Sequence, residues 1–387
     1  MKAHRKRKRS VDTGYDPEPM RVLHVSTPMG WRGGEQQLAY LYHWLEEKGV
    51  QQSLLVPKGS ALELHCQAWG MPFASFSGKG PLGLGVARAL KALTNAYAPD
   101  LIHVHDAHGH TAAFLATLLF RQKLPLIVHR RVDFPVGKHF LSRWKFDHPA
   151  ISRVIAVSEA IRGIGRKGVR QKDKWVTVRS GIDTSRVQER KDPTRIRKEL
   201  GLASDIPIIG NIAALADHKD HFTFLRTART YFDKGKRGVF VILGDGPERS
   251  SIEAERHRLG LEDGVRVMGF RDDVLELLSG FDVFLMSSKT EGLGTSLLDA
   301  MAASIPIVST NAGGIPEILC NEQNALLREV GDAKGLAESL VHLLEHPDQR
   351  EQLVKDGLRT AERYSCQNMA EAVLSVYSSV LDRADGS

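Results

Sequence analysis

The chain alternates short apolar runs with segments whose apolar positions recur at helical spacing. Leu38, Leu41 and Leu45 mark one such helical segment in the first half. Strands are predicted from the apolar runs at 22–25, 53–56, 101–104, 126–128 and 154–157. This strand–helix–strand alternation predicts a doubly wound parallel sheet.

A second series of the same kind begins after residue 190. A helix is expected to start at Asp192-Pro193, and strands are predicted at 208–212, 240–243, 266–268, 281–286 and 307–308. The fold class is therefore α/β, with two Rossmann-like doubly wound domains that face each other across a cleft. Their hinge is expected near Gly181 to Arg186, which gives a first domain at 20–185 and a second at 186–364.

Composition agrees with a soluble protein of two or three domains. The 387 residues are 42% hydrophobic, and no apolar run approaches the roughly 18 residues that cross a bilayer. The start is too basic for a secretory signal. Three isolated cysteines, Cys66, Cys320 and Cys366, indicate neither a disulfide framework nor a cysteine zinc site. A cytoplasmic location is expected.

Two regions concentrate the net charge of +7. Residues 1–19 contain the run HRKRKR and are expected to be a disordered basic tail; contact with nucleic acid is an alternative, but a solvated extension is favoured. Residues 121–179 hold fifteen Lys and Arg against four acids. They either attract anionic lipid or a phosphorylated acceptor, or form a scattered, solvated surface.

The most informative segment for chemistry is EGLGTSLLDAMA, residues 291–302. It follows a predicted strand, places Glu291 and Asp299 eight positions apart, and carries glycines where a helix is expected to begin. A helix N-terminus attracts a pyrophosphate because its N–H groups are unpaired. The alternative is that Ser296 and Asp299 form a capping box. The strand–loop–helix–strand setting favours a ligand site.

Residues 287–319 resemble the donor-site signature of family 4 retaining glycosyltransferases, which have the GT-B fold. The resemblance implies that Glu291 contacts hydroxyls of the donor sugar. Asp299, where the family usually has Glu, would bind the ribose. Gly292, Leu293, Gly294 and Thr295 would form the donor loop, and a helix is expected near Pro316. It also implies a donor-binding second domain, an acceptor-binding first domain, and a last helix, within 365–387, that crosses back to the first domain.

Other positions match the family less completely. Residues 210–221 resemble its phosphate loop, in which Lys219 matches the lysine while Ala214 replaces an arginine. Compensation by Arg32, Arg130 or Arg131 is expected. Gly33 and Gly34 resemble the glycine loop beside the donor phosphates, and Gly269 and Phe270 the nucleobase position. The alternatives are that Lys219 is an ordinary surface lysine and that Phe270 belongs to the core.

Four histidines fall within residues 103–110, but their spacing departs from that of zinc hydrolases. No DxD motif follows a strand, so neither a metal nor a cofactor is expected. In the family a histidine of this loop contacts the donor sugar, which points to His108. His129 competes for the role, because other branches place their histidine there. Both are expected to line the cleft, with a buried core histidine as the alternative.

The predicted function is metal-independent, retaining transfer of a sugar from a nucleotide-sugar donor, with UDP-sugar favoured. The acceptor is expected to be a hydroxyl of a cell-surface glycan or glycolipid, as in lipopolysaccharide or polysaccharide biosynthesis. Peripheral contact with the inner face of an anionic membrane is included in this prediction, and nucleic acid is not an expected partner. A sugar-nucleotide epimerase and a non-catalytic nucleotide-sugar sensor are the alternatives.

Overall fold

A computed structural model describes residues 18–77, 83–137 and 140–385. The first sheet has seven parallel strands in the order β3-β2-β1-β4-β5-β6-β7. Its strands are β1 (Arg21–Val25), β2 (Gln51–Pro57), β3 (Phe73–Phe76), β4 (Leu101–Val104), β5 (Leu126–Arg130), β6 (Ile151–Ala156) and β7 (Trp175–Thr177). The helices that cover it are α1 (Gly33–Glu47), α2 (Ala61–Trp69), α3 (Leu84–Tyr97), α4 (Ala107–Phe120), α5 (Phe140–Asp147) and α6 (Glu159–Arg166).

The second sheet has six parallel strands in the order β10-β9-β8-β11-β12-β13. They are β8 (Ile208–Ile212), β9 (Val239–Leu243), β10 (Val265–Val267), β11 (Val283–Met286), β12 (Ile307–Thr310) and β13 (Leu326–Arg328). The remaining helices are α7 (Thr184–Glu189), α8 (Arg195–Glu199), α9 (His221–Asp233), α10 (Arg249–Arg258), α11 (Val274–Leu278), α12 (Thr295–Ala302), α13 (Ala333–Glu345), α14 (Pro347–Arg363) and α15 (Cys366–Asp385).

The central strands have continuous apolar sequences because helices cover both faces of each sheet. In β1, Leu23 and Val25 pack into one core, while Val22 packs on the opposite face. Helix α15 closes that opposite face with Val373 and Tyr377, so the last helix of the chain lies on the first sheet. The predicted fold class is confirmed: both sheets are parallel and doubly wound.

Some local details differ from the predictions. Helix α8 begins at Arg195 rather than at Asp192-Pro193, and the helix expected near Pro316 is present but consists of one 3-10 turn, Ile315–Glu317. The alternative interpretation of Ser296 and Asp299, a capping box, is not observed, because α12 begins after Gly294 and Ser296 lies inside the helix. Most of the predicted basic tail, residues 1–17, lies outside the described residues.

Candidate active site

The N-termini of two helices, one from each domain, face each other at the carboxyl ends of the sheets. A Cβ atom on Gly33, the first residue of α1, would lie 3.8 Å from Oγ1 of Thr295, the first residue of α12. Each N-terminus carries unpaired N–H groups and a partial positive charge. The space between them therefore favours a negatively charged ligand.

Glycines bring the α12 loop close to the first domain. A Cβ atom on Gly292 would lie 2.8 Å from the backbone oxygen of Arg131, so any larger residue would push the two loops apart. Gly294 has a φ of 85°, which a residue with a Cβ rarely adopts. These two glycines thus let backbone amides, rather than side chains, face the cleft.

Glu291 and Lys219 form an ion pair beside this loop. Lys219 Nζ lies 2.6 Å from Glu291 Oε1, and Ser288 Oγ donates to the same oxygen at 2.7 Å. The Glu291 side chain is buried. Because β8 and β11 are neighbours, the loops that follow them bring the two predicted catalytic groups together.

Asp133 and His218 lie beside the pair, although neither is among the site residues predicted from the sequence. Asp133 accepts a hydrogen bond from Thr290, which joins the first domain to the residue before Glu291. Burial and the charge of Lys219 lower the pKa of His218, while Glu291 and Asp133 oppose that shift. Their sequence positions could have indicated a role in the site, because Asp133 follows β5 and His218 directly precedes Lys219.

Ala214 occupies the phosphate-loop position where the family has an arginine, and it is exposed. Two of the three predicted replacement arginines lie at the glycine loop: Arg32 is the N-cap of α1, and Arg131 Cδ is 3.9 Å from a Cβ placed on Gly34. The Nε and Nη2 atoms of Arg131 are buried without hydrogen-bond partners, and burial lowers its pKa to about 10. Arg130 instead donates to the Phe134 backbone oxygen and lies 5.6 Å from the Phe146 ring.

The two candidate histidines occupy different environments. His108 is exposed in the first turn of α4 and lines a cavity of about 340 Å³ with Met29, Arg32 and Asp106. The Asp106 carboxylate caps α4, because it accepts from the backbone N–H groups of His108 and Gly109. His108 is therefore held at the surface of the first domain's ligand edge.

His129 is buried and belongs to a histidine cluster under α1 and α15. Its ring stacks on His103 at 5.3 Å, and its Nδ1 has no hydrogen-bond partner. Nitrogen atoms of His24, His103 and His105 lie within 4.8 Å of one another, an arrangement that could hold a metal. Burial lowers the pKa of these rings, and Arg131 lowers those of His103 and His105 further. A cation would face that same positive guanidinium.

Asp299 lies on α12 close to Tyr40 of α1 and to Arg186. Burial raises its pKa to about 7, and the charge of Arg186 opposes the shift. Arg186 Nη1 also donates to Tyr40 Oη at 3.2 Å. Asp299 thus lies between the domains, and near neutral pH its carboxyl group can be either protonated or ionised.

Gly269 and Phe270 follow the edge strand β10. The Gly269 oxygen accepts from Gly244 N–H at 2.8 Å, which ties the loops after β9 and β10 together. Phe270 is 65% exposed, so the alternative of a core phenylalanine was wrong. Its ring is free to stack on a planar ligand.

The fold and the site together define the GT-B class of glycosyltransferases. A model described as Glycosyltransferase Family 4 matches residues 31–186, and one described as Glycosyl transferases group 1 matches residues 192–360. The two matches cover both domains and most of the chain. The chain therefore belongs to glycosyltransferase family 4 and is a glycosyltransferase, as the sequence resemblance predicted.

Similar proteins agree with this assignment. The N-acetyl-alpha-D-glucosaminyl L-malate synthase of Bacillus anthracis is 28% identical over 310 residues, covering 78% of this chain and 79% of its own length. The 2-deoxystreptamine N-acetyl-D-glucosaminyltransferase of Niallia circulans is 26% identical and covers 83% and 91%. Anabaena HepE, solved with UDP and glucose, superposes with a TM-score of 0.81 at 19% identity, covering 93% of this chain and 100% of HepE.

Proposed function

We propose that this glycosyltransferase moves a sugar from a UDP-sugar to an acceptor hydroxyl, with retention of anomeric configuration and without a metal ion. The observation that carries the proposal is the Glu291–Lys219 ion pair beside two facing helix N-termini. Support for the donor comes from two solved proteins of the same fold. HepE was solved with UDP and glucose, and the pneumococcal O-GlcNAc transferase GtfA with UDP and GlcNAc.

The donor pyrophosphate would lie between the N-termini of α1 and α12. Gly33, Gly34 and the amides of residues 292–295 would approach it, and Lys219 would turn from Glu291 to the phosphate. Glu291 would then accept hydrogen bonds from the sugar hydroxyls. Preorganised positive charge of this kind stabilises a leaving phosphate without a metal ion.

Bond making and breaking occur on one face of the sugar. The acceptor oxygen bonds to the anomeric carbon while the bond from that carbon to the phosphate oxygen breaks, and the acceptor proton passes to the departing phosphate. Arg131 would supply the second cation that Ala214 lacks. Asp299 would bind the ribose, Phe270 would stack on the base, and His108 would contact the donor sugar. His129 is buried, so it would act on the site only through the side chains that it contacts.

The acceptor is proposed to be a hydroxyl of a cell-surface glycan or glycolipid, reached from the cytoplasmic side of a membrane. Two relatives from Rhizobium meliloti are named as lipopolysaccharide core biosynthesis glycosyltransferases; one, LpsE, is 29% identical over 47% of this chain. No helix in the described part of the chain combines the length and apolarity of a membrane span. Peripheral contact with an anionic membrane is the proposed route of the enzyme to a lipid acceptor.

A donor panel tests the proposal directly. The purified protein is incubated with UDP-, GDP- and ADP-sugars, with and without EDTA, and both nucleotide release and the anomeric configuration of the product are followed. We expect EDTA-insensitive release from a UDP-sugar and an α-linked product from an α-linked donor. Glu291→Gln should lose release, whereas the matched variant Glu322→Gln, at an exposed position, should retain it.

Other outcomes would identify the alternatives. Tight UDP-sugar binding without turnover across varied acceptors would favour a sensor. Release of a free, epimerised sugar nucleotide would favour an epimerase. A β-linked product from an α-linked donor would contradict the retaining mechanism.

A further inference from the structure

Large apolar side chains are exposed together on one side of the first domain. Leu118 and Leu119 lie near the end of α4, Phe134 follows β5, and Leu141 and Trp144 lie on α5. Their exposures are 40%, 56%, 62%, 69% and 37%, respectively. Exposed apolar groups concentrated in this way mark an interaction surface.

Direct contacts make the α4 and α5 parts of this surface continuous. The rings of Phe114 and Trp144 lie 4.9 Å apart, and Lys145 Nζ donates to Thr111 Oγ1 at 2.9 Å. Leu118 lies one turn beyond Phe114 on the same face of α4, and Leu141 one turn before Trp144 on α5. The two helices therefore present their exposed side chains side by side.

Phe134 extends the surface toward the active site. Its backbone oxygen accepts from Arg130, whose guanidinium lies 5.6 Å from the Phe146 ring of α5. The preceding residue, Asp133, accepts from Thr290 beside Glu291. One end of the apolar surface is thus next to the cleft.

Positive charge accompanies the apolar side chains. Residues 118–145 contain seven Lys and Arg and a single acid, Asp133, which is bound to Thr290. Arg121, Lys123 and Arg143 are exposed. Among the residues that the structure describes, none of these three pairs with a carboxylate. We call this combined surface, with Leu118, Leu119, Phe134, Leu141, Trp144 and these three cations, the apolar-basic face.

We propose that the apolar-basic face docks the enzyme on an anionic lipid bilayer. Leucine and aromatic side chains would enter the headgroup boundary, where tryptophan is favoured, and the cations would contact lipid phosphates. Docking would hold the cleft, next to Phe134, at the membrane surface. The inference deepens the proposed acceptor by making it lipid-linked, but binding itself requires neither donor nor transfer.

Vesicle sedimentation of the full chain tests the proposal. We expect binding to vesicles that contain phosphatidylglycerol, much weaker binding to pure phosphatidylcholine, and partial release by salt, which screens the charges. Leu141→Ser and Arg143→Glu should each weaken binding by about tenfold. The matched variants Leu64→Ser, on α2, and Lys355→Glu, on α14, change exposed residues elsewhere and should bind like the unaltered protein.

Three results would overturn the proposal. One is the absence of binding to anionic vesicles by the folded, unaltered protein. A second is unchanged binding in both variants of the face. The third is a dimer in sedimentation velocity that Leu141→Ser disrupts, because a second copy of the chain would then cover the face. Failure of vesicle binding leaves the donor assay unaffected, so the two proposals fail independently.

Discussion

Glu291 and Lys219 are the residues on which the proposed mechanism depends most. Both side chains are largely removed from water, so each charge is stabilised by the other at 2.6 Å. Removing one partner of such a pair leaves an uncompensated charge in a poorly solvated place. The pair therefore stabilises the cleft until a ligand offers each group a new partner.

Substitution of either member should affect both activity and stability. We expect Lys219→Met and Glu291→Gln each to lower kcat by about 100-fold, because in the proposed mechanism each removes a group that stabilises the transition state. Each should also lower the free energy of unfolding, and the double variant should lose less than the sum of the two. Urea unfolding and steady-state kinetics measure these effects.

Lys289 provides the control for this double-mutant cycle of Lys219 and Glu291. It pairs with Asp217 at 2.6 Å on the neighbouring surface, where both side chains are exposed. Lys289→Met should change kcat and stability little, because exposed pairs contribute less than about 1 kcal/mol. Additive losses in the Lys219–Glu291 cycle would contradict a coupled pair.

Asp299 should make stability depend on pH. Its folded pKa of about 7 lies above its ordinary value of 3.8, so the folded state retains a proton that the unfolded state loses between these values. The free energy of unfolding should therefore fall as pH rises from about 4 to about 7. Part of the side chain stays exposed, which makes the effect smaller than full burial would give.

Asp299→Asn should remove this dependence. Compared with the unaltered protein, the variant should gain relative stability as pH rises through the same window, because asparagine does not ionise. Urea unfolding near pH 5 and near pH 8 measures the difference, with Asp205→Asn as an exposed control. A constant difference between the two pH values would contradict the raised pKa.

At the residue scale, the sequence predicted candidate groups that lie in recognisable loop motifs, but it did not predict their cross-domain neighbours. Glu291 and Lys219 each follow a recognisable strand. Asp133 is joined to the second domain by its hydrogen bond with Thr290, and the charges of Glu291 and Asp133 act on His218. Both interactions link residues that are far apart in the chain. A single sequence does not show those contacts.

Elements of the central sheet could be predicted because burial on both faces gives long apolar runs. Strands β4 and β8 have the predicted bounds. The edge strands β3, β7 and β13 were missed; they have only four, three and three residues, and part of each is accessible. Helix starts were also less predictable, since Gly294, which has no side chain that could cap the helix, is the N-cap of α12.

Two glycines at the ligand edge should respond differently to alanine. Gly33 has room, because the nearest atom to an added Cβ is 3.8 Å away, whereas a Cβ on Gly314 would lie 2.2 Å from the Gly292 oxygen. Gly314→Ala should therefore lower Tm by roughly 5 °C or more, because backbone would have to move.

Gly33→Ala should leave Tm nearly unchanged and raise the KM for the donor, since the added methyl group narrows the space between α1 and α12. Differential scanning calorimetry and donor kinetics separate the two effects. Equal Tm losses in the two variants would show that the Gly33 site is not open, contrary to the structure.

The arrangement of the whole molecule depends on contacts that no local pattern encodes. Glu317 of the second domain accepts from the Ala160 N–H at the start of α6 at 2.9 Å and pairs with Arg179 at 3.1 Å. The Asp133–Thr290 hydrogen bond joins the domains nearer the cleft. Helix α15 returns to the first sheet, where Tyr377 and His103 are hydrogen-bonded at 2.6 Å. Together these contacts join the two domains that carry the facing N-termini of α1 and α12.

Loss of Glu317 should therefore loosen the cleft without removing a group that touches the donor. Glu317→Ala deletes a helix cap worth about 1 kcal/mol together with a pair to Arg179, both between domains. We expect a larger radius of gyration in small-angle X-ray scattering and a higher donor KM, while far-UV circular dichroism stays the same.

Glu338→Ala is the appropriate comparison, because Glu338 pairs with Lys234 at 3.5 Å within the second domain. That variant should keep both the radius of gyration and the donor KM. If Glu317→Ala lowered kcat with KM and dimensions unchanged, Glu317 would act on the reacting groups rather than on domain closure. An increase in KM that disappears in a protein with the two domains cross-linked would confirm that closure positions the α1 and α12 N-termini on the donor.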